Sequence, residues 1–227
     1  MVDMRLFLEL IRRRTPPPVA DWLGAIVPGN AEPFAHDVFA AAFAAAARRL
    51  GKATLTTTAD EDAALARLGI TWPLGGWGLD ELGRVALLLS AVARLDDARL
   101  EGLVEDCYSH GDVRERQATL RALPLLPAPE RFLPIAVDAC RSHMQPVFEA
   151  IACENPYPAT CFPDLNFNQM VLKALFTGVA LARIVGLSDR VTPELTRMAD
   201  DYASERRAAG RTVPADIGLA AGKRSVS

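Results

Sequence analysis

The chain has 227 residues, of which half are hydrophobic and 23% are charged, and its formal net charge is -3. A chain of this length buries a substantial core in one large domain or two small ones, and this composition excludes an intrinsically disordered protein. It contains no basic stripe with interleaved aromatic residues, which argues against nucleic-acid binding.

The apolar segments do not predict secretion or membrane insertion. Asp3, Arg5 and Glu9 interrupt the apolar positions of the first eleven residues, unlike a secretory signal. The longest apolar run, 38–47, is too short to span a bilayer. The four cysteines are too few and too dispersed for a disulfide framework. We therefore expect a cytoplasmic protein with no integral membrane segment.

Hydrophobic periodicity predicts helices along most of the chain. Apolar residues recur at helical spacing over 34–50, 79–95, 98–109, 112–124, 130–143 and 145–153. Two further helices are predicted to begin near Leu165 and at Pro193, with Asp164 as the N-cap of the first. Asp80 is placed as another N-cap and Gly51 as a helix stop. Because no alternating apolar and polar run is long enough for a strand, the fold class predicted is all-α.

Short helices joined by proline-marked turns suggest irregular stacked helical hairpins resembling HEAT-type or armadillo-type repeats. Cys107-Tyr-Ser-His110 and Cys140-Arg-Ser-His143 each end a predicted helix, about one hairpin period apart. We divide the chain into an N-terminal helical layer (1–76), a helical-repeat-like core (77–213) and a tail (214–227) that we expect to fray.

The segment from Glu154 to Lys173 combines three prolines, aromatic residues, carboxylates and amides just before a helix. Such a loop is expected to be packed and to present polar groups. Glu154 ends a helix and needs a partner, for which Lys173 is a natural choice, while arginines of the last helix could cover the loop. The candidate ligand-binding residues are Glu154, Asn155, Tyr157, Asp164, Asn168, Gln169, Lys173, Arg206 and Arg207. The same residues would also serve a purely structural clamp, and both interpretations stay open.

Other chemistry has weaker support. Two Cys-x-x-His pairs could give a zinc site made of Cys107, His110, Cys140 and His143. Buried thiols and helix-ending histidines explain these pairs better, and Cys153 or Cys161 as a nucleophile has no supporting neighbour. We expect no metal and no cofactor. The arginines of 112–121 form either a solvated charged face or an anion-binding surface.

Several separated motifs resemble the EboA-domain family. They are Glu154-Asn-Pro-Tyr-Pro158, Phe162-Pro-Asp164, Asn168-Gln-Met-Val-Leu-Lys173-Ala-Leu-Phe176, Gly111-Asp-Val-Arg-Glu-Arg116, Leu120-Arg-Ala-Leu-Pro124 and Ala203-Ser-Glu205-Arg-Arg-Ala-Ala-Gly-Arg211. They occur in the family's order over roughly the last half of the chain. At its end the chain runs into Ile217-Gly-Leu-Ala-Ala-Gly, where the family tends to have an aromatic-containing end.

The resemblance implies an accessory role in secondary metabolism. Such proteins look to be encoded with a TatD-like hydrolase, a UbiA-like prenyltransferase, a dehydroquinate-synthase-like protein and a TIM-barrel protein, and the family supplies no catalytic residues. The function expected is a binding or accessory protein of a biosynthesis or export pathway, with a metabolite or another protein of the same cluster as partner. An enzyme that uses Glu154, Asn168 and Lys173, and a purely structural scaffold, are the alternatives.

Overall fold

The computed structural model describes residues 4–27 and 33–222, and these residues confirm the all-α fold. The α-helices are Met4–Arg12 (α1), Pro17–Ile26 (α2), His36–Leu50 (α3), Ala59–Arg67 (α4), Leu79–Val92 (α5), Asp97–Ser109 (α6), Val113–Ala122 (α7), Leu133–Arg141 (α8), Gln145–Ala152 (α9), Tyr157–Cys161 (α10), Asp164–Thr177 (α11) and Pro193–Ala208 (α12). Short 3-10 helices occupy Leu123–Leu125, Pro129–Phe132, Leu181–Arg183, Leu187–Arg190 and Ile217–Ala221. The β-type pairing found in the described ranges is one isolated bridge between Thr54 and Gly78.

The chain divides into two compact units, 1–135 and 136–227. The domain boundary that the sequence indicates, after residue 76, stays a prediction. Residues 214–222 of the predicted tail are described, and Ile217–Ala221 pack against α12 while Asp216 accepts the Leu181 amide at 2.6 Å. The remainder of that tail, 223–227, lies outside the described residues.

Helix α5 is the centre of the first unit. Every residue from Leu79 to Ala91 is buried, and α1, α3 and α7 all pack against this helix. The sequence pattern marks only one apolar face, with Leu82, Val85 and Leu89, so it underestimates how deeply the helix lies. A helix buried all round needs partners for each of its polar side chains. The HEAT-type or armadillo-type arrangement of the helical hairpins stays a prediction.

The polar side chains of α5 are satisfied by a network of buried ion pairs. Arg84 donates to Asp80 at 2.8 Å and to the Phe43 carbonyl at 2.9 Å. Arg114, on α7, also donates to Asp80, at 2.7 Å, and Arg121 pairs with Glu81. Burial opposes ionisation of Asp80, but the hydrogen bonds and charges of Arg114 and Arg84 outweigh it and lower the pKa of this carboxyl group. The network therefore holds α7 on α5 with ionised side chains.

Two sequence interpretations of this region are corrected. Gly78, and not Asp80, is the N-cap of α5, and Asp80 lies inside the first turn with its carboxylate bound by two arginines. The arginines of α7 do not form a free anion-binding surface, because Arg114 and Arg121 are engaged by Asp80 and Glu81. The Gly51 helix stop is confirmed, with φ +76°.

We predict that Arg84→Met destabilises the first unit by about 3–5 kcal/mol, because it leaves the buried Asp80 carboxylate with one cationic partner fewer. Exposed Arg48→Met is the matched control and should change stability by less than about 0.5 kcal/mol. All three tryptophans, Trp22, Trp72 and Trp77, lie in this unit, so urea denaturation followed by tryptophan fluorescence measures it directly. Equal midpoints for the two variants would contradict the prediction.

Candidate functional site

Glu154 is held by Arg183 in the second unit. Its backbone adopts φ +47°, a left-handed conformation that a residue with a side chain rarely takes. The Glu154 amide donates to the Arg183 carbonyl at 2.9 Å. The Arg183 guanidinium donates to both carboxylate oxygens of Glu154, at 2.8 and 2.9 Å, and to Glu149 at 2.6 Å. These hydrogen bonds raise the pKa of Arg183 and fix the turn that follows α9.

Asn155 and Tyr157, which follow Glu154, are buried, and the Asn155 side chain makes hydrogen bonds to the backbone. Asn155 is 2% exposed; its side-chain amide donates to the Ala150 carbonyl at 2.9 Å, and its oxygen accepts the Tyr157 amide at 3.0 Å. The Tyr157 ring is fully buried and packs edge-on against Phe162, with 6.1 Å between centroids. Asn155 and Tyr157 therefore stabilise the loop and have no surface that a ligand could reach.

Asp164 does not cap α11 as the sequence predicts. Pro163 occupies the N-cap position and no side chain caps the helix there. The Asp164 carboxylate instead accepts a hydrogen bond from Arg190 at 2.9 Å. Arg190 also donates to the carbonyl of Ala159 in α10 at 2.6 Å and to that of Phe162, the C-cap residue of this helix, at 2.7 Å. Arg190 thus binds the backbone at the C-terminal end of α10.

Lys173 likewise binds the backbone at the C-terminal end of α8. Its ammonium donates to the carbonyls of Cys140 and Ser142, both at 2.6 Å, and lies 4.7 Å from the centre of the Phe148 ring. Partial burial lowers the pKa of this lysine. An ammonium group has three N–H donors, so these two bonds leave a third for another acceptor.

The predicted pairing of Glu154 with Lys173 is wrong, because Glu154 binds Arg183 and Lys173 binds helix-end carbonyls. Asn168, the third member of the hypothetical acid-base cluster, is 3% exposed and lies 3.5 Å from the Thr192 hydroxyl, with its own carbonyl oxygen unsatisfied. The three side chains thus have separate partners. A general acid or base must reach the reacting proton, and this geometry offers no shared reaction centre for them.

The two candidate arginines of α12 lie apart from these contacts. Arg206 donates to the Thr212 carbonyl at 2.9 Å and stacks on the Tyr202 ring at 5.8 Å. Arg207 is exposed. In the described residues Glu154 has Arg183 as its cationic partner. The expectation that Arg206 and Arg207 cover the Glu154 loop therefore has no contact to support it.

A cleft of about 360 Å³ lies between α8 and α11 in the second unit. Cationic, amide and apolar side chains line this cleft, and its lining contains no Asp or Glu. Its residues are Val137, Cys140, Arg141, His143, Phe162, Asn166, Gln169, Met170 and Lys173. Of the nine candidate ligand-binding residues only Gln169 and Lys173 line this cleft, and of the four candidate metal ligands Cys140 and His143 do.

The two Cys-x-x-His pairs lie in different units, Cys107 with His110 in the first and Cys140 with His143 in the second. Burial raises the pKa of the Cys107 and Cys140 thiols to about 12 each, which opposes the thiolate that zinc prefers. His110 is exposed and lies 3.6 Å from Asp106. Among residues 4–27 and 33–222, no three His, Cys, Asp or Glu side chains are arranged to hold a metal ion.

Comparison with known proteins identifies one family. The family model described as metabolite traffic protein EboA matches residues 4–221, almost the whole chain. The chain belongs to the EboA family. No curated protein and no solved structure matches it. In the part of the chain that the structure describes, no helix of this EboA protein has the length and apolarity needed to cross a bilayer.

Sequence reasoning missed the cations that hold the EboA motif together. Arg183 and Arg190 lie in 3-10 helices outside the motifs that carry the resemblance, at separations of 29 and 26 residues from Glu154 and Asp164. Arg141 was missed because it reads as a basic residue in the last turn of a helix. No local pattern marks the first two, because their partners lie far away along the chain.

We predict that Arg183→Met destabilises the turn at Glu154 by about 1–3 kcal/mol, since two half-buried carboxylates lose their shared partner. Hydrogen exchange measured on peptides spanning 149–160 should accelerate by about fivefold or more, at about 1.4 kcal/mol per tenfold. Arg197→Met is the control, because Arg197 also binds two carboxylates, Glu194 and Asp201, but is exposed. If the hydrogen-exchange rates over 149–160 are the same in Arg183→Met as in the wild type, Arg183 does not stabilise the turn at Glu154.

A second prediction concerns Lys173. Lys173→Met keeps an apolar side chain over Phe148 but leaves two helix-end carbonyls without their donor, at a cost of about 1–3 kcal/mol. We expect a lower melting temperature and faster hydrogen exchange over 136–145, with exposed Lys52→Met as the control. If exchange in that segment stays at the wild-type rate, Lys173 does not act as a structural donor.

Proposed function

We propose that this EboA-family protein binds a small anionic metabolite with an apolar body in the cleft between α8 and α11. The observation that carries the proposal is the composition of the cleft, which joins Arg141, His143 and Lys173 to an apolar floor without any carboxylate. Its volume of about 360 Å³ falls within the range of roughly 300–1,000 Å³ typical of small-molecule pockets.

Each part of the cleft has a distinct role in this proposal. The Arg141 guanidinium, at the exposed end of α8, would make the main charge-assisted contact with a carboxylate or phosphate group. The remaining N–H of Lys173 would donate a second bond, and Gln169 and Asn166 would orient the ligand by their amides. Phe162 and Met170 would cover its apolar part.

Binding is favoured over catalysis because the candidate carboxylates are already engaged. Arg183 binds Glu154, and Arg190 binds Asp164. A carboxylate that is already bound by a guanidinium is not positioned to reach a reacting proton, which disfavours the acid-base alternative. A pure scaffold would not need a cleft with this charge pattern, although the Glu154 segment itself fits the structural clamp.

The pathway context of the proposal comes from the family. The family's description as a metabolite traffic protein supports a carrier or accessory role, and we propose that the metabolite belongs to secondary metabolism. Proteins encoded in the same cluster would deliver or receive it. A cytoplasmic location agrees with four cysteines that form no disulfide.

The proposal is tested with phenyl phosphate, an anion with a small apolar body, by isothermal titration calorimetry. We expect binding that weakens with added salt and falls by tenfold or more in Arg141→Glu, because a charge-assisted bond of about 1.5–3 kcal/mol is lost and a repulsive charge is added.

The chain offers a closely matched control for this variant. Arg67 is exposed and is the last residue of α4, as Arg141 is of α8. Arg67→Glu therefore makes the same change of net charge at the same position of a helix, in the other unit. Equal loss of affinity in both variants would mean that binding follows net charge and would refute the cleft as the site, as would the absence of binding by the wild type.

A further inference from the structure

Helix α11 carries an exposed apolar stripe beside the cleft. Leu165 is 66% exposed and Phe176 is 61% exposed, which makes them the two most exposed of the large hydrophobic side chains in the described residues. Leu172 lies half-buried between them. The positions 165, 169, 172 and 176 follow the i, i+4, i+7, i+11 spacing that places residues on one face of a helix. At a rise of about 1.5 Å per residue the stripe is about 16 Å long.

The stripe and the cleft share one residue. Gln169 lines the cleft and is also the member of the stripe between Leu165 and Leu172. Leu165 is next in sequence to Asn166, which lines the cleft too. The stripe therefore runs beside the cleft on α11, and Gln169 is its polar member.

The far end of the stripe is fixed by aromatic contacts. The Phe176 ring packs edge-on against Tyr202 of α12, with 4.8 Å between centroids, and the Tyr202 hydroxyl lies 3.4 Å from the Leu175 carbonyl. Arg206 stacks on the other ring of this pair, at 5.8 Å from its centre. Phe176 is thus held in place although most of its surface faces solvent, so the apolar surface is preorganised.

We infer that the ligand of the cleft carries an extended alkyl chain that lies along Leu165, Leu172 and Phe176. This inference rests on the proposed function, because the anionic end of the ligand occupies the cleft at Arg141. A chain that covers the stripe removes apolar area of both partners from water, which accounts for large exposed side chains next to a polar cleft.

The test is a series of n-alkyl phosphates, butyl, octyl and dodecyl, each kept below its micelle concentration and titrated into the full-length protein by calorimetry. We expect affinity to rise by about tenfold or more from butyl to dodecyl phosphate, since each buried methylene contributes. The double variant Leu165→Ser/Phe176→Ser should reduce this increase to less than about threefold. Both positions are exposed, so the fold should tolerate the change.

Two further variants separate the stripe from the cleft. Val38→Ser removes an exposed apolar residue, 50% exposed, from the other unit and should leave the whole series unchanged. Arg141→Glu should weaken all three ligands by a similar factor and keep their order.

The outcomes distinguish the two proposals. Equal affinity for all three phosphates, or a chain-length effect that survives in Leu165→Ser/Phe176→Ser, would overturn the inference and leave the proposed function standing. Failure of every alkyl phosphate and of phenyl phosphate to bind would overturn both. Binding to anionic phosphatidylserine vesicles without binding of the monomeric phosphates would also overturn the inference, because the stripe would then contact a lipid surface.

Discussion

The carbonyl groups at the C-terminal end of an α-helix have no donor within the helix, and the second unit supplies them from long cationic side chains. Lys173 binds the end of α8, and Arg190 binds the end of α10. Each cation also lies on an aromatic ring, Phe148 or Phe167, at 4.7 Å. The positive charge meets the negative end of the helix dipole, and the ring limits its exposure to water. Because α10 has only five residues, it depends on this external support more than a long helix would.

The first unit uses charge differently. There the ionised groups lie on the central helix itself, and their partners come from a neighbouring helix, so the ion pairs orient α7 on α5. Replacing such a network by apolar side chains of similar volume is often neutral or stabilising, whereas removing one member is costly. The network therefore fixes which residues of α7 face α5 more than it adds to total stability. In both units long cationic side chains join elements distant in sequence.

The helices were predictable and their partners were not. Periodicity located α3 and α5 to within a few residues, because the apolar spacing of a helix is a local property. It could not show that Arg84 and Asp80 are buried, since a charged residue on a helix is usually solvated and only the packing of α1, α3 and α7 encloses these two. The sequence indicates that the Glu154 segment is packed, because its density of prolines and aromatic residues is a local property. Its partner was misassigned because Lys173 is close in sequence, while Arg183 reaches Glu154 only after the chain turns back beyond α11.

The hydrogen bonds of Lys173 to the end of α8 also bear on the cleft. Lys173 reaches from α11 to the end of α8 and binds it with two of its three donors, and the same side chain lines the cleft. An ammonium group placed there is already desolvated in part, as its lowered pKa indicates, so an incoming anion displaces less water from it. In the proposed complex this lysine is a preorganised positive group, whereas the exposed side chain of Arg141 would be ordered by the ligand. We therefore propose that Lys173 both supports α8 and binds the ligand, so the structural and the binding interpretations of this residue are compatible.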